Sequence, residues 1–408
     1  MALVVVVCTA AESRAEADFR EFDQPPHDYF KRTPTDRFTR MRADLEAGRV
    51  PFDRSSEKAF LTNILDHLGI PVSSQMLVFS TTSLQLSRIS PTNPRALYFT
   101  DDLYLGFIPG GRIELVSLDP DLGGVFHIFD VPRESDVLRI ERATRCMNCH
   151  AGEDTGHVPG LVISSVVPGP SGGSLEAFRR ARTGHGIPLQ ERFGGWYLTG
   201  LGGFTNHWGN TIGRFVDEVL TRIPNPPGER VQFERYPLRT SDLLPQLIHE
   251  HQVGFVNRAV EATYRARTYV QSDGARLTAE HDRLLAEQAE LLVRYLLFKD
   301  EVPLPAGGVE GDPAFREDYR RNRREVEGLS LKDLELRTRL FRHRCSPMIY
   351  TPVFTGLPGV VKERVYRRLG EVLRAESKDP EFAYLAVSER AAIRKILRGT
   401  LTDLPGGW

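Results

Sequence analysis

Hydrophobic positions change their period twice along this chain. From Ser56 to Pro71 they recur every three to four residues. Phe60, Ile64 and Leu68 line up with Leu61 and Leu65, and Gly69 with Pro71 ends the run. That spacing predicts an amphipathic helix within an N-terminal helical segment, residues 16–73. His67 lies beside the stripe and reads as a surface residue.

From Gln75 to Val131 the period drops to two. Residues 76–79, 96–99, 103–108, 113–116 and 125–129 are strand candidates, with turn signals at Thr100-Asp-Asp102, Pro109-Gly-Gly111 and residues 119–124. This predicts an antiparallel meander. Further strands are expected at 161–167 and 194–199, so residues 74–238 form a β-rich unit.

Past Arg239 the pattern is helical. Residues 241–267 and 279–298 give two long amphipathic segments. Ser330-Leu-Lys-Asp333 reads as a capping box opening a third helix, and 365–375 and 388–397 close the list. Between the second and third, residues 304–328 are rich in Pro, Gly and charge. They read as a solvated, partly mobile surface. The expected fold class is α+β: an antiparallel sheet packed against a mainly helical half, 239–408.

The longest apolar run, Ala2 to Ala11, is too short to span a bilayer and is bounded by Glu12. It reads as the hydrophobic part of a secretion signal, cleaved near Ala10 or Ala15, although the usual preceding basic residues are missing. A short buried strand is the alternative. The first reading makes 1–15 a signal remnant and the protein periplasmic, with no transmembrane segment. With 53 Lys+Arg against 54 Asp+Glu, no net field draws the chain to nucleic acid.

Four cysteines are too few for a disulfide scaffold. Two of them form Arg145-Cys146-Met147-Asn148-Cys149-His150, the Cys-x-x-Cys-His spacing of covalent c-type haem attachment. Two thiols one turn apart reach both vinyl groups of one porphyrin, and the next residue offers its imidazole to the iron. With this composition the motif arises by chance in roughly one such sequence in a thousand. A zinc knuckle would use the same residues with His157. A thioredoxin-like dithiol would need a helix starting at Cys146, but Gly- and Pro-rich sequence follows. The expected cofactor is therefore one haem c, covalent through Cys146 and Cys149, on a loop inserted into the sheet, with the helical half closing over it.

The iron's sixth position decides between electron transfer and chemistry. His251 is the first candidate, because it continues the apolar stripe of Leu244, Leu247/Ile248 and Phe255 while His249 and Glu250 turn aside. His185, between two glycines, is the second; His157 and His207 follow. Met348, Met76 and Cys345 read as core side chains before ligands. Trp196 and Tyr197 suit a porphyrin edge, and Arg145, Arg180 and Arg182 suit its propionates.

Segments beyond the motif carry a resemblance: Asn93-Pro-Arg-Ala-Leu-Tyr-Phe99, Glu191-Arg-Phe-Gly-Gly-Trp-Tyr-Leu-Thr-Gly200, Glu250-His-Gln252, Arg294-Tyr-Leu-Leu-Phe298 and Cys345-Ser-Pro-Met-Ile-Tyr350. With Cys-Met-Asn-Cys-His, their order resembles a largely uncharacterised family of exported bacterial monohaem cytochrome c-like proteins. The resemblance spans the chain after residue 70. It implies Cys146, Cys149 and His150 as haem ligands, makes His185 and His251 recurring motif members, and brings no substrate or reaction. Single-electron transfer is the leading expectation, with an unknown redox partner. A haem-dependent oxidoreductase acting on peroxide or a small nitrogen or sulfur compound is the first alternative, and a haem-based redox or gas sensor the second.

Overall fold

The computed structural model describes residues 21–133, 136–178, 184–274 and 276–408. The expected signal remnant, Cys8, Arg180 and Arg182 lie outside the described residues. Two helices come first, α1 (Arg37–Glu46) and α2 (Glu57–His67). Each starts at a polar cap: Asp36 accepts from the Thr39 amide and Ser56 from the Ala59 amide. Residues 21–36 form turns, so the N-terminal segment is less helical than its sequence suggested.

The meander follows as β1 (Met76–Val78), β2 (Arg95–Phe99), β3 (Leu103–Phe107), β4 (Arg112–Asp119) and β5 (Gly123–Asp130), each antiparallel to the next. A two-residue strand, β6 (Glu141–Arg142), pairs with β5. A distant one, β9 (Trp196–Tyr197), pairs with β1 at the other edge. Together they make a seven-stranded antiparallel sheet. β7 (Val166–Pro168) leaves this sheet and pairs with β8 (Ser174–Ala177), so the strand expected over 161–167 is confined to its last residues. β10 (Thr211–Val216) and β11 (Val219–Pro224) form a separate hairpin.

Alternation along the strands gives the sheet two different faces. Leu77, Phe79, Tyr98, Leu105, Phe107, Ile113, Leu115 and Phe129 pack with Phe38, Phe60, Leu61, Ile64 and Leu65 of the first two helices. The other face carries Met76, Val78, Phe99, Tyr104, Leu118 and Trp196 into a second core, shared with the helical half.

That half is built on α4 (Leu243–Asp273), a 31-residue helix capped by Asp242 and Gly274. Against it pack α5 (Ala279–Leu296), the single turn α7 (Pro352–Thr355) and α8 (Gly359–Val372), with α9 (Val387–Thr400) following. The mixed α+β architecture, with helices concentrated in the C-terminal half, agrees with expectation. Two local expectations fail. Ser330–Asp333 is a turn, not a helix start: the Asp333 carboxylate accepts from the Ser330 amide as a box would, but Leu334 then bridges to Phe341. The segment 304–328 contains a helix instead, α6 (Pro313–Arg320). Pro313 follows the Asp312 cap, and Phe315 and Tyr319, four residues apart, are buried. No described helix is long and apolar enough to cross a membrane.

Candidate functional site

The paired cysteines lie just beyond the edge of the sheet. After β6 a tight turn over Thr144–Cys146 leads into α3 (Met147–His150), a single helical turn. Met147 anchors this turn in the apolar cluster with Phe126 and Ile128. Cys146 is half-buried, Cys149 is exposed, and both are free thiols. Burial pushes the Cys146 thiol up to about 11.

His150 packs on the Phe126 ring, 4.4 Å between centroids. Its Nδ1 lies 3.0 Å from the Gly160 carbonyl, and the Gly160 amide donates back to the His150 carbonyl at 2.8 Å. A carbonyl only accepts, so Nδ1 carries the proton and Nε2 the lone pair. Nε2 makes no hydrogen bond among the described residues. Burial, partly offset by the Gly160 carbonyl, lowers the imidazole to about 4 and keeps it neutral. Metal-bound histidines are held in this way, one ring nitrogen tied to a carbonyl and the other left as donor.

The carbonyl is itself fixed by α4. Asn257 accepts from the Leu161 amide at 2.8 Å and donates to the Leu161 carbonyl at 2.9 Å, all buried. Residue 160 must be glycine for the helix to come this close: a Cβ there would meet Asn257 Oδ1 at 2.4 Å.

Beside His150, the core-facing side of the sheet is incompletely covered. The register sets Phe99, Tyr104, Val116 and Phe126 in one row across β2 to β5, and Leu97, Gly106, Glu114 and Ile128 in the next. Phe99, Tyr104 and Phe126 are buried, yet Val116 between them is only half-buried, as are Leu97, Glu114 and Arg95. This opening lies over the middle of a sheet whose opposite face is closed. Arg95 and Glu114 pair across β3 at 2.9 Å, passing over Gly106, which has no side chain to block them. Ser83 and Gln85 also donate to Glu114.

His249 closes the other side of the opening. Its ring lies 5.4 Å from Phe99 and 5.5 Å from Tyr104, centroid to centroid, and it is 6% exposed. Its Nδ1 has no partner among the described residues, and neither have the Tyr104 hydroxyl and Arg95 Nε. Burial and the Arg95 charge lower this imidazole to about 3. Three orphaned polar atoms around one recess are unusual in a packed interior, where such groups are nearly always paired.

His251 and His185 are brought together, but away from this recess. Their Nδ1 atoms are 2.8 Å apart, and both rings stack on Phe298 and Tyr295. His185 Nε2 faces the Lys299 carbonyl at 3.3 Å and so carries a proton. His251 Nδ1 therefore donates to His185, and His251 Nε2 accepts from Ser346 at 2.7 Å. All four ring nitrogens are engaged in hydrogen bonds, so in this arrangement neither histidine presents a free nitrogen to a metal. The helical stripe does not single out His251, because α4 is buried on nearly all sides, so an apolar line along it does not mark a unique inward face.

The remaining candidates are dispersed. Trp196 is on the core-facing side of the sheet, and its indole donates to the Ser164 carbonyl at 3.1 Å. Tyr197 points to the opposite face, donating to the Pro91 carbonyl at 2.6 Å. Arg145 is exposed next to Cys146. His157 is exposed in a left-handed turn, φ 60°. His207 is buried beside Phe193 and Phe204. Met76, Met348 and Cys345 are fully buried core side chains. Among the described residues, no three His, Cys, Asp or Glu side chains gather as a metal site.

A cavity of about 270 Å³ reaches from Asp154, just after the motif, along residues 162–166 to Glu250 on α4. Its far wall is braced by a buried ion pair, Arg192–Glu250, at 3.0 Å. Arg192 also donates to the carbonyls of Ile187 and His185. Burial raises the Glu250 carboxyl, and Arg192 opposes the rise. This volume is at the lower edge of ligand pockets, roughly 300–1,000 Å³, so it would take only part of a group as large as a porphyrin.

No protein-family model matches the chain, and neither a curated protein nor a solved structure matches it. The resemblance to cytochrome c-like proteins therefore rests on the motifs quoted above. Three features of the site are compatible with a covalently attached haem: two free thiols one turn apart, a neutral imidazole with its outer nitrogen unengaged, and a half-buried stretch of sheet around Val116 with orphaned polar atoms enclosed beside it. Sequence reasoning named the first two. It missed Gly160 and Asn257, which aim His150, and Arg95, Tyr104 and His249, which line the recess.

Proposed function

We propose that the protein carries one haem c through Cys146 and Cys149, with His150 as the proximal ligand, and passes single electrons to an exported redox partner. The observation that carries this reading is the fixed tautomer of His150: Nδ1 donates to Gly160, and Nε2 keeps an unengaged lone pair next to two free thiols. When bound, a haem supplies one-electron iron chemistry at a potential set by its ligands and surroundings. The chain's own contribution is to hold the imidazole neutral, keep it oriented through Asn257 and Gly160, and shield the recess with α4. Export agrees with the reading, because c-type haem is attached outside the bacterial cytoplasm.

The test is the intact mass of the protein produced with a haem-maturation system. The expected mass exceeds the mature chain by one haem, and both Cys146→Ser and Cys149→Ser lower the yield of the adduct. A bare chain, under conditions that mature other c-type proteins, refutes the proposal. A second reading, a haem-dependent oxidoreductase, draws on the unpaired Tyr104 hydroxyl and Arg95 Nε at the recess. Ferric protein with high-spin iron and rapid cyanide binding would select it; a six-coordinate low-spin spectrum would select electron transfer.

A further inference from the structure

The recess has two histidine walls, and only one belongs to the attachment motif. His150 packs on Phe126 of β5, whereas His249 packs on Phe99 and Tyr104 of β2 and β3. Tyr104 and Phe126 lie in one row, two strands apart, which is about 10 Å at normal strand spacing. Between them lies Val116, half-buried where its row neighbours are covered. His150 and His249 thus border the half-covered stretch around Val116 from the β5 side and from the β2–β3 side.

A buried neutral histidine normally bonds through at least one nitrogen, as His185 and His251 do. His249 does not: Nδ1 is enclosed without a partner, and the ring forms no hydrogen bond among the described residues. Of the two rings it packs on, Phe99 is apolar and Tyr104 carries a hydroxyl that is also unpaired. His127, on the opposite face of the sheet against Phe38, is unpartnered among the described residues too, but only His249 of the two lies on the face where Val116 is half-buried.

We infer that His249, not His251 or His185, is the side chain facing the sixth position of the iron, so that the haem is held between His150 and His249. This rests on the attachment reading above and adds the opposite ligand to it. Two imidazoles on one iron close the site to small molecules, which favours electron transfer over catalysis.

The experiment compares optical spectra and intact masses of the haem-loaded protein and four variants. Wild-type ferric protein is expected to be six-coordinate and low-spin. His249→Ala is expected to keep its covalent haem by mass but become high-spin, and added imidazole should restore the low-spin spectrum. His249→Met retains side-chain bulk in case the alanine variant fails to fold; it should also change the spectrum and raise the midpoint potential. His251→Ala and His185→Ala should leave the spectrum as in wild type. An unchanged spectrum in both His249 variants, or a loss of the low-spin state in His251→Ala, overturns the inference while leaving the attachment reading intact. A wild-type chain without covalent haem removes both.

Discussion

Asn257 and Gly160 offer a stringent test of how His150 is held. Asn257→Ala removes both bonds to Leu161 and leaves its buried amide and carbonyl unpaired. At about 1–3 kcal/mol for each of the two buried groups left unsatisfied, the expected loss is about 2–6 kcal/mol. Gly160→Ala forces a methyl to within 2.4 Å of Asn257 Oδ1 and 3.1 Å of Thr155 Cβ. Residue 160 is not in the left-handed region, so the backbone tolerates alanine and the cost is the clash, about 1–3 kcal/mol. The two costs should not add. In the double variant the Asn257 amide is absent, the main clash vanishes, and stability should fall little below that of Asn257→Ala alone. Urea denaturation of the four proteins, followed by circular dichroism with the thiols kept reduced, gives the coupling energy directly. A coupling of about 1–3 kcal/mol is expected; single-variant losses that sum to within about 0.5 kcal/mol would show that the helix and the loop are not in the described contact.

Arg192→Ala leaves the Glu250 carboxylate buried without its cation and should cost about 3–5 kcal/mol; adding Glu250→Gln should restore part of it, and a loss below about 1 kcal/mol would contradict the ion pair. His127 supplies the pH test. It is 2% exposed, both ring nitrogens lack partners among the described residues, and it lies edge-on to Phe38. Burial lowers it to about 4, with Arg42 and Arg142 acting in the same direction and Asp36 and Glu46 opposing. A depressed histidine favours the fold while neutral, so its contribution is complete above pH about 6.5 and is lost as pH falls towards 4, on the order of 3 kcal/mol. His127→Phe should flatten the stability–pH curve across that window by about one proton; an unchanged slope would refute this.

The five meander strands were legible because two-residue alternation, strongest in β2 and β4 where one face is less covered, coincides with strong turn residues. The hairpin of β10 and β11 was not. Its outer residues Phe215, Val216 and Val219 are exposed, and its turn residues Asp217 and Glu218 both have positive φ without the Asn-Gly pair that usually marks such a turn. The helix over Pro313–Arg320 was hidden in a charged run, since two buried rings four residues apart give only a weak period. At the site, the thiols and His150 were legible because attachment chemistry demands adjacency in sequence. His249, Arg95 and Tyr104 come from different elements, and only strand register brings them to one recess.

The long helix of the C-terminal half touches the site at two points. Asn257 aims one imidazole through the Leu161 backbone, and His249, eight residues earlier, is the other imidazole. Eight residues of α-helix span about 12 Å and scarcely stretch. One rod thus carries one histidine and steadies the other through the backbone at residues 160 and 161, so a shift of this helix along its axis would reach both at once.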